Sequence, residues 1–201
     1  MDPLDIIGTG IGLVYLYLEY KANKYLWITG IIMPAIYIFA YYRHGLYADM
    51  GINIYYLLAA VYGWLVWTYG HKRNQREDKE MPITHFRPKL ILPSILVFTV
   101  LFLFIAWLLI NFTNSNVPWC DSFVTACSII GMWALARKYL EQWLIWILVD
   151  VICCGLYWYK GLPFTSVLYG LYSIIAIVGY FHWIDMMNKQ NEKVCNSFLH
   201  R

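Results

Sequence analysis

The chain has 201 residues, of which 61% are hydrophobic, 19% aromatic and 13% charged, with a formal net charge of +3 and a mean hydropathy of +0.52. A soluble domain is about 45–50% apolar and about 25% charged, so one soluble core could not bury this much apolar surface behind so little charge. The composition excludes a disordered chain, a collagen-like chain and a typical nucleic-acid-binding domain, and leaves an integral membrane protein.

A helix needs about 20 mostly apolar residues to cross the hydrocarbon core. Spans are predicted near 4–20, 25–43, 46–69, 90–111, 119–136, 141–160 and 163–187. The runs are continuous, without period-2 alternation, so they read as helices and not as barrel strands. The first span opens on Met1-Asp2-Pro3-Leu4-Asp5, which is acidic and unlike a signal peptide. The second contains Pro34, a kink and a candidate hinge. The third carries Asp49, either an access-side contact or a first-turn acid stabilised by the helix dipole. Residues 71–89 form the longest loop, expected to be a solvated linker without chemistry. The fourth span, Leu90 to Ile110, shows the fewest polar side chains. With seven spans, thirteen of the fifteen Lys and Arg fall on one side, leaving only Arg43 and Lys160 opposite. By the positive-inside rule the N-terminus is then outside and the C-terminus cytoplasmic.

Sliding the chain on itself by 116 residues gives 12 identities over positions 5–67 without a gap, among them Asp5/Asp121, Trp27/Trp143, Gly63/Gly179 and Trp67/Trp183. The repeat unit is three helices. A single span between two such triplets makes them parallel, so an all-α membrane fold of 3+1+3 helices is expected, a SWEET-like arrangement with substrate near the midplane. The expected division is 1–70 first repeat, 71–89 cytoplasmic loop, 90–112 linker helix, 113–188 second repeat and 189–201 cytoplasmic tail. The third helix of each triplet carries a stripe of one aromatic, two small residues and one Trp. It reads Tyr56, Ala60, Gly63, Trp67 and again Tyr172, Ala176, Gly179, Trp183. Packing explains the small residues, and the tyrosines suit either packing or a substrate path.

The sixth span carries the chemistry. Trp143, Trp146, Asp150 and Tyr157 fall on one helical face. A carboxylate in mid-membrane costs about 2.5–3.5 kcal/mol on insertion scales, so Asp150 is a functional candidate; a protonated or helix-bonded structural acid is the alternative. Its counterpart in the first repeat is Pro34, which breaks the symmetry where an asymmetric ligand would bind. Two Trp, several Tyr and one anion suit a flat, cationic or aromatic ligand held by stacking and cation–π contact. Asn53, Ser128 and Ser173 are candidates for hydroxyl contacts, with helix–helix bonding the commoner role. The five Cys lack a CxxC spacing and the five His lack an HExxH pattern, so no metal, cofactor or nucleophile is expected and a membrane enzyme has little support.

Three segments, LYADMGINIYYLLAAVYGWLVW (46–67), DSFVTACSIIGMWALARKYLEQWLIWILVD (121–150) and GLYWYKGLPFTSVLYGLYSIIAIVGYFHW (155–183), resemble the PnuC family of vitamin transporters. Its most specific pattern, WxxW followed by Asp, is present as Trp143, Trp146 and Asp150. The family often has Asn where Gln142 stands and Gln where Asn53 stands. The resemblance implies inner-membrane facilitated uptake of nicotinamide riboside, with thiamine as the alternative cargo. It implies trapping by a cytoplasmic vitamin kinase, no ion coupling, and substrate contact by Trp143 and Trp146. Proton coupling through Asp150 is a separate mechanistic alternative. The expected substrate-binding set is Trp143, Trp146, Asp150, Asn53, Tyr56, Tyr172 and Gln142. Expected partners are a small-molecule vitamin, membrane lipid and the kinase, with homo-oligomerisation left open and no nucleic acid.

Overall fold

The computed structural model describes residues 3–43, 47–70, 81–113 and 115–199; the side chains of 3–10, 47–49, 194 and 196–199 lie outside that description. Asp49 and the first ten residues of the 71–89 loop therefore fall beyond it. Among the described residues seven α-helices form: α1 (Pro3–Tyr20), α2 (Leu26–Arg43), α3 (Tyr47–Tyr69), α4 (Ile91–Phe112), α5 (Pro118–Ala136), α6 (Gln142–Tyr159) and α7 (Pro163–Leu199). No strand forms among the described residues. Six of these helices are long and apolar enough to cross a membrane, while in α1 the described apolar stretch is Ile11–Tyr20.

The chain forms two compact units. One comprises Met1–Pro82 with Ala136–Lys138, the other Ile83–Leu135 with Tyr139–Arg201. In each, two helices are packed around a tryptophan. In the first unit Trp27 of α2 meets Trp67 of α3 edge to face, with ring centroids 5.5 Å apart at 88°. In the second, Trp143 of α6 meets Trp183 of α7 at 5.6 Å and 88°. The glycine of each stripe makes room for the indole. A methyl group on Gly179 would lie 2.6 Å from the Trp143 ring, and one on Gly63 would collide with Trp27 in the same way. The 116-residue register extends to single hydrogen bonds. Ala22 (φ 49°) and Lys138 (φ 51°) occupy equivalent places and adopt the same left-handed backbone, unusual for non-glycine residues. The following amides close equivalent turns, Asn23 N to Leu18 O (2.9 Å) and Tyr139 N to Ala134 O (3.0 Å).

Small residues also join α6 to α7. Buried Ser166 donates to the Cys154 carbonyl at 2.7 Å, and Gly170 lies against the Cys154 sulfur. In the membrane, apolar side chains gain little by leaving lipid, so such close backbone approach supplies the packing. The fourth helix is held by aromatics. Phe98 and Phe102 stack with each other and meet Phe123 of α5 edge to face. In the first unit the Trp67 indole N–H donates to the Ala136 carbonyl at 3.1 Å, and the Lys138 ammonium lies 4.3 Å from its ring centroid.

Two expectations differ from the structure. Residues 81–87 are not a free solvated linker. Ile83 is buried, Thr84 O accepts from Leu140 N, and Glu141 Oε2 accepts from Phe86 N at 2.8 Å while its Oε1 contacts His85 Nδ1 at 2.9 Å. The Phe86 ring packs on Trp133 and Tyr139. Apolar Ile83 and Phe86, embedded in a polar run, drive this docking. The seventh helix runs past the span end expected at 187, because α7 continues to Leu199. No Gly or Pro follows Gly179, and Lys189 pairs with Asp185 one turn earlier at 2.6 Å.

Candidate functional site

The two copies of the repeat act as controls for each other. A residue that is equivalent and similarly buried in both copies serves the shared packing, whereas one that differs at an equivalent buried place needs another explanation. Trp143 belongs to the first kind. It is 1% exposed, Trp27 is 0% exposed, both rings rest on a glycine and a second Trp, and both indole nitrogens lack a partner among the described residues.

Gln142, Trp146 and Asp150 belong to the second kind. The 116-residue shift places them on Leu26, Gly30 and Pro34. Their spacing of four residues puts them on one stripe of α6. Gln142 is 0% exposed, as is Leu26, yet neither its amide oxygen nor its nitrogen has a hydrogen-bond partner among the described residues. An unsatisfied buried amide costs about 1–3 kcal/mol, and the leucine at the equivalent place shows that the fold does not require it. Trp146 replaces a glycine. In the first unit Gly30 lies against the Tyr15 ring of α1; in the second, Gly131 of α5 lies against the Trp146 ring. The large aromatic has moved from the first helix of the triplet to the second. Its indole nitrogen is buried and has no partner among the described residues.

Asp150 is 8% exposed, and no ion pair to it occurs among the described residues. It lies within electrostatic reach of Tyr169 and Tyr172 of α7. Those rings meet edge to face at 5.8 Å, and Tyr169 stacks on Tyr157 of α6 at 5.1 Å and 12°. In the first unit the ring equivalent to Tyr157, Tyr41, stacks on Tyr37 of its own helix. Cys153 takes the Tyr37 place in the second copy.

Gln142, Trp146, Asp150 and Tyr172 lie in one unit, as does Trp143, which rests against Gly179 and Trp183. Asn53 and Tyr56 stand half-buried on α3 in the other unit, where the Tyr56 ring meets Tyr55 at 5.6 Å. The Ser128 hydroxyl is used locally, donating to the Val124 carbonyl at 2.9 Å. Tyr169 was not singled out from sequence. The signal that finds it is its pairing with Asn53 under the repeat, a difference and not an identity.

A family model described as nicotinamide mononucleotide transporter matches residues 2–185. The chain belongs to this family of PnuC membrane transporters. It is 24% identical to the nicotinamide riboside transporter PnuC of Escherichia coli, over 94% of this chain and 88% of that one. It is equally 24% identical to the riboflavin/roseoflavin transporter RibM of Streptomyces davaonensis, over 89% of this chain and 83% of that one. A crystal structure of the vitamin B3 transporter PnuC matches in fold with a TM-score of 0.65 at 22% identity, covering 89% of this chain and 79% of that one. These relatives are transporters, not enzymes. This PnuC-family chain is thus a multi-pass transporter of vitamin-like small molecules, and the stripe on α6 is its candidate ligand contact.

Proposed function

We propose that the chain carries nicotinamide riboside by facilitated diffusion, with a cytoplasmic kinase trapping the product. The observation that carries this reading is the asymmetric stripe of Gln142, Trp146 and Asp150 in a repeat whose Trp–Gly–Trp packing and turns recur in both copies. Each side chain matches one part of such a ligand. The Trp146 face suits a flat ring, Asp150 a fixed positive charge, and the Gln142 amide a carboxamide or hydroxyl. Tyr172 is the proposed contribution of α7, and Asn53 and Tyr56 are the proposed contributions of the first repeat. Trp143, held against Gly179 and Trp183, is the proposed anchor of the same helix. The proposed architecture is seven spans in a 3+1+3 order, N-terminus outside, with α4 as the linker.

The similarity to RibM keeps a second reading, a riboflavin carrier, and thiamine is a third cargo with a fixed ring charge. A neutral flavin leaves the carboxylate of Asp150 without a counter-charge, which favours the cationic vitamins. Purified protein in liposomes should take up nicotinamide riboside saturably, without any ion gradient. Direct binding should rank nicotinamide riboside above thiamine and both above riboflavin. Uptake that collapses without a proton gradient would show coupling, and tightest binding of riboflavin would reassign the cargo.

A further inference from the structure

The stripe on α6 does not stop at Asp150. Cys153, Tyr157 and Lys160 continue it at spacings of three or four residues, Lys160 being the helix cap. The stripe thus ends at Lys160, one turn beyond the last core residue of α6, Leu156. At that far end the Lys160 ammonium lies 3.0 Å from Asp121 Oδ1 and 5.8 Å from the centroid of the Tyr157 ring. The second oxygen, Asp121 Oδ2, accepts from the Ser115 hydroxyl at 2.7 Å, and that hydroxyl accepts from Val117 N at 3.3 Å. A carboxylate fixed by a hydroxyl holds an ammonium of the chain itself, and that ammonium also lies near a tyrosine ring, the two groups that would hold a cation.

We propose that Asp121 and Tyr157 form a second cation subsite at the C-terminal end of α6, in which Lys160 is a resident counter-ion that a cationic aromatic ligand displaces before it reaches Asp150. This deepens the reading of the chain as a carrier of positively charged vitamins and rests on it. Helix-dipole effects alone account for an acid in the first turn of α5 and a base at the end of α6. They do not account for the Tyr157 ring beneath the ammonium, nor for the ring of Tyr169 stacked against it. The exchange is feasible because both charged side chains are more than a quarter exposed, and an ion pair in such a setting is weak. The flexible lysine stem can swing away while the carboxylate stays held by Ser115.

The two charges have opposite effects on a subsite and the same effect on a structural tie, which makes the test decisive. Initial rates of nicotinamide riboside uptake into liposomes are measured for wild type, Lys160→Met, Asp121→Asn and Lys160→Arg. The proposal expects KM to fall about threefold to fivefold in Lys160→Met, which frees the carboxylate, and to rise by a similar factor in Asp121→Asn. Lys160→Arg, which keeps the pair, should stay near wild type. A shift of both neutralising variants in one direction, or no shift in either, makes the pair a helix tie only and overturns the proposal. If Lys160→Met does not fold, Tyr157→Leu decides, expected to raise KM for the riboside while leaving the binding of neutral riboflavin unchanged; an equal loss for both overturns it. If wild type takes up no riboside, the transport reading fails separately. The same variants are then titrated with 1-methylnicotinamide, a pyridinium cation, by quenching of tryptophan fluorescence, and the same opposition of signs is expected.

Discussion

Trp143 and Trp146 stand three residues apart on one helix and form one motif in the sequence, yet their surroundings differ. Trp143 is enclosed by Gly179 and Trp183, and Trp27 repeats that arrangement with Gly63 and Trp67. Trp146 has no aromatic counterpart, because Gly30 stands at its place. Replacing Trp143 by Ala should therefore lower stability by about 3–5 kcal/mol, the range for a fully buried large aromatic. Thermal unfolding of the purified protein checks this. Replacing Trp146 by Ala should instead weaken ligand binding about tenfold with a smaller drop in melting temperature. Equal losses of stability in the two variants would place Trp146 in the packing as well. Asp150 was legible from sequence because charge is rare in a span. The orphan amide of Gln142 was not, since burial without a partner is a property of the folded surroundings.

At the scale of elements, the helices follow from long apolar runs bounded by turn residues, and the boundaries lie within a few residues of those expected. The exceptions are the segment before α4 and the end of α7. Both needed contacts that periodicity does not carry. Residues 83–86 are short and have no repeating pattern, and they are fixed by Glu141, which contacts both Phe86 N and His85. Glu141→Ala removes both contacts and should cost about 1 kcal/mol, because the pair with His85 is exposed and the backbone bond is half-buried. Hydrogen exchange should show faster exchange of the Phe86 amide with α6 and α7 unchanged; faster exchange along α6 would mean that the segment supports the helix itself. Ile83 N also donates to Gln190 Oε1 on the extension of α7 at 3.1 Å, so that extension has a packing reason to remain helical.

At the scale of the molecule, the distribution of Lys and Arg predicts which ends of the helices face the cytoplasm. Two exposed cysteines offer the check, Cys120 at the start of α5 and Cys195 near the end of α7. With the N-terminus outside, a membrane-impermeant thiol reagent should label Cys120 in intact cells and Cys195 only after permeabilisation. Single-cysteine variants separate the two signals. The reverse pattern would invert the topology and place Lys160 and Asp121 on the cytoplasmic side.

Composition by itself determined that the chain belongs in a membrane, because apolar side chains this numerous and charges this few leave no soluble solution. The ungapped 116-residue register determined that the chain contains an internal repeat, since Trp, Gly and Asp recur at a fixed offset. Only the tertiary structure separated the buried contacts that both copies share from the buried groups that only one copy carries. The repeated Trp–Gly–Trp contacts are enclosed on every side, whereas Gln142, Trp146 and Asp150 present unmatched polar groups where the first copy has Leu26, Gly30 and Pro34. The physical reason is that a sequence records which groups are polar, while the cost of burying them depends on neighbours that arrive from other helices.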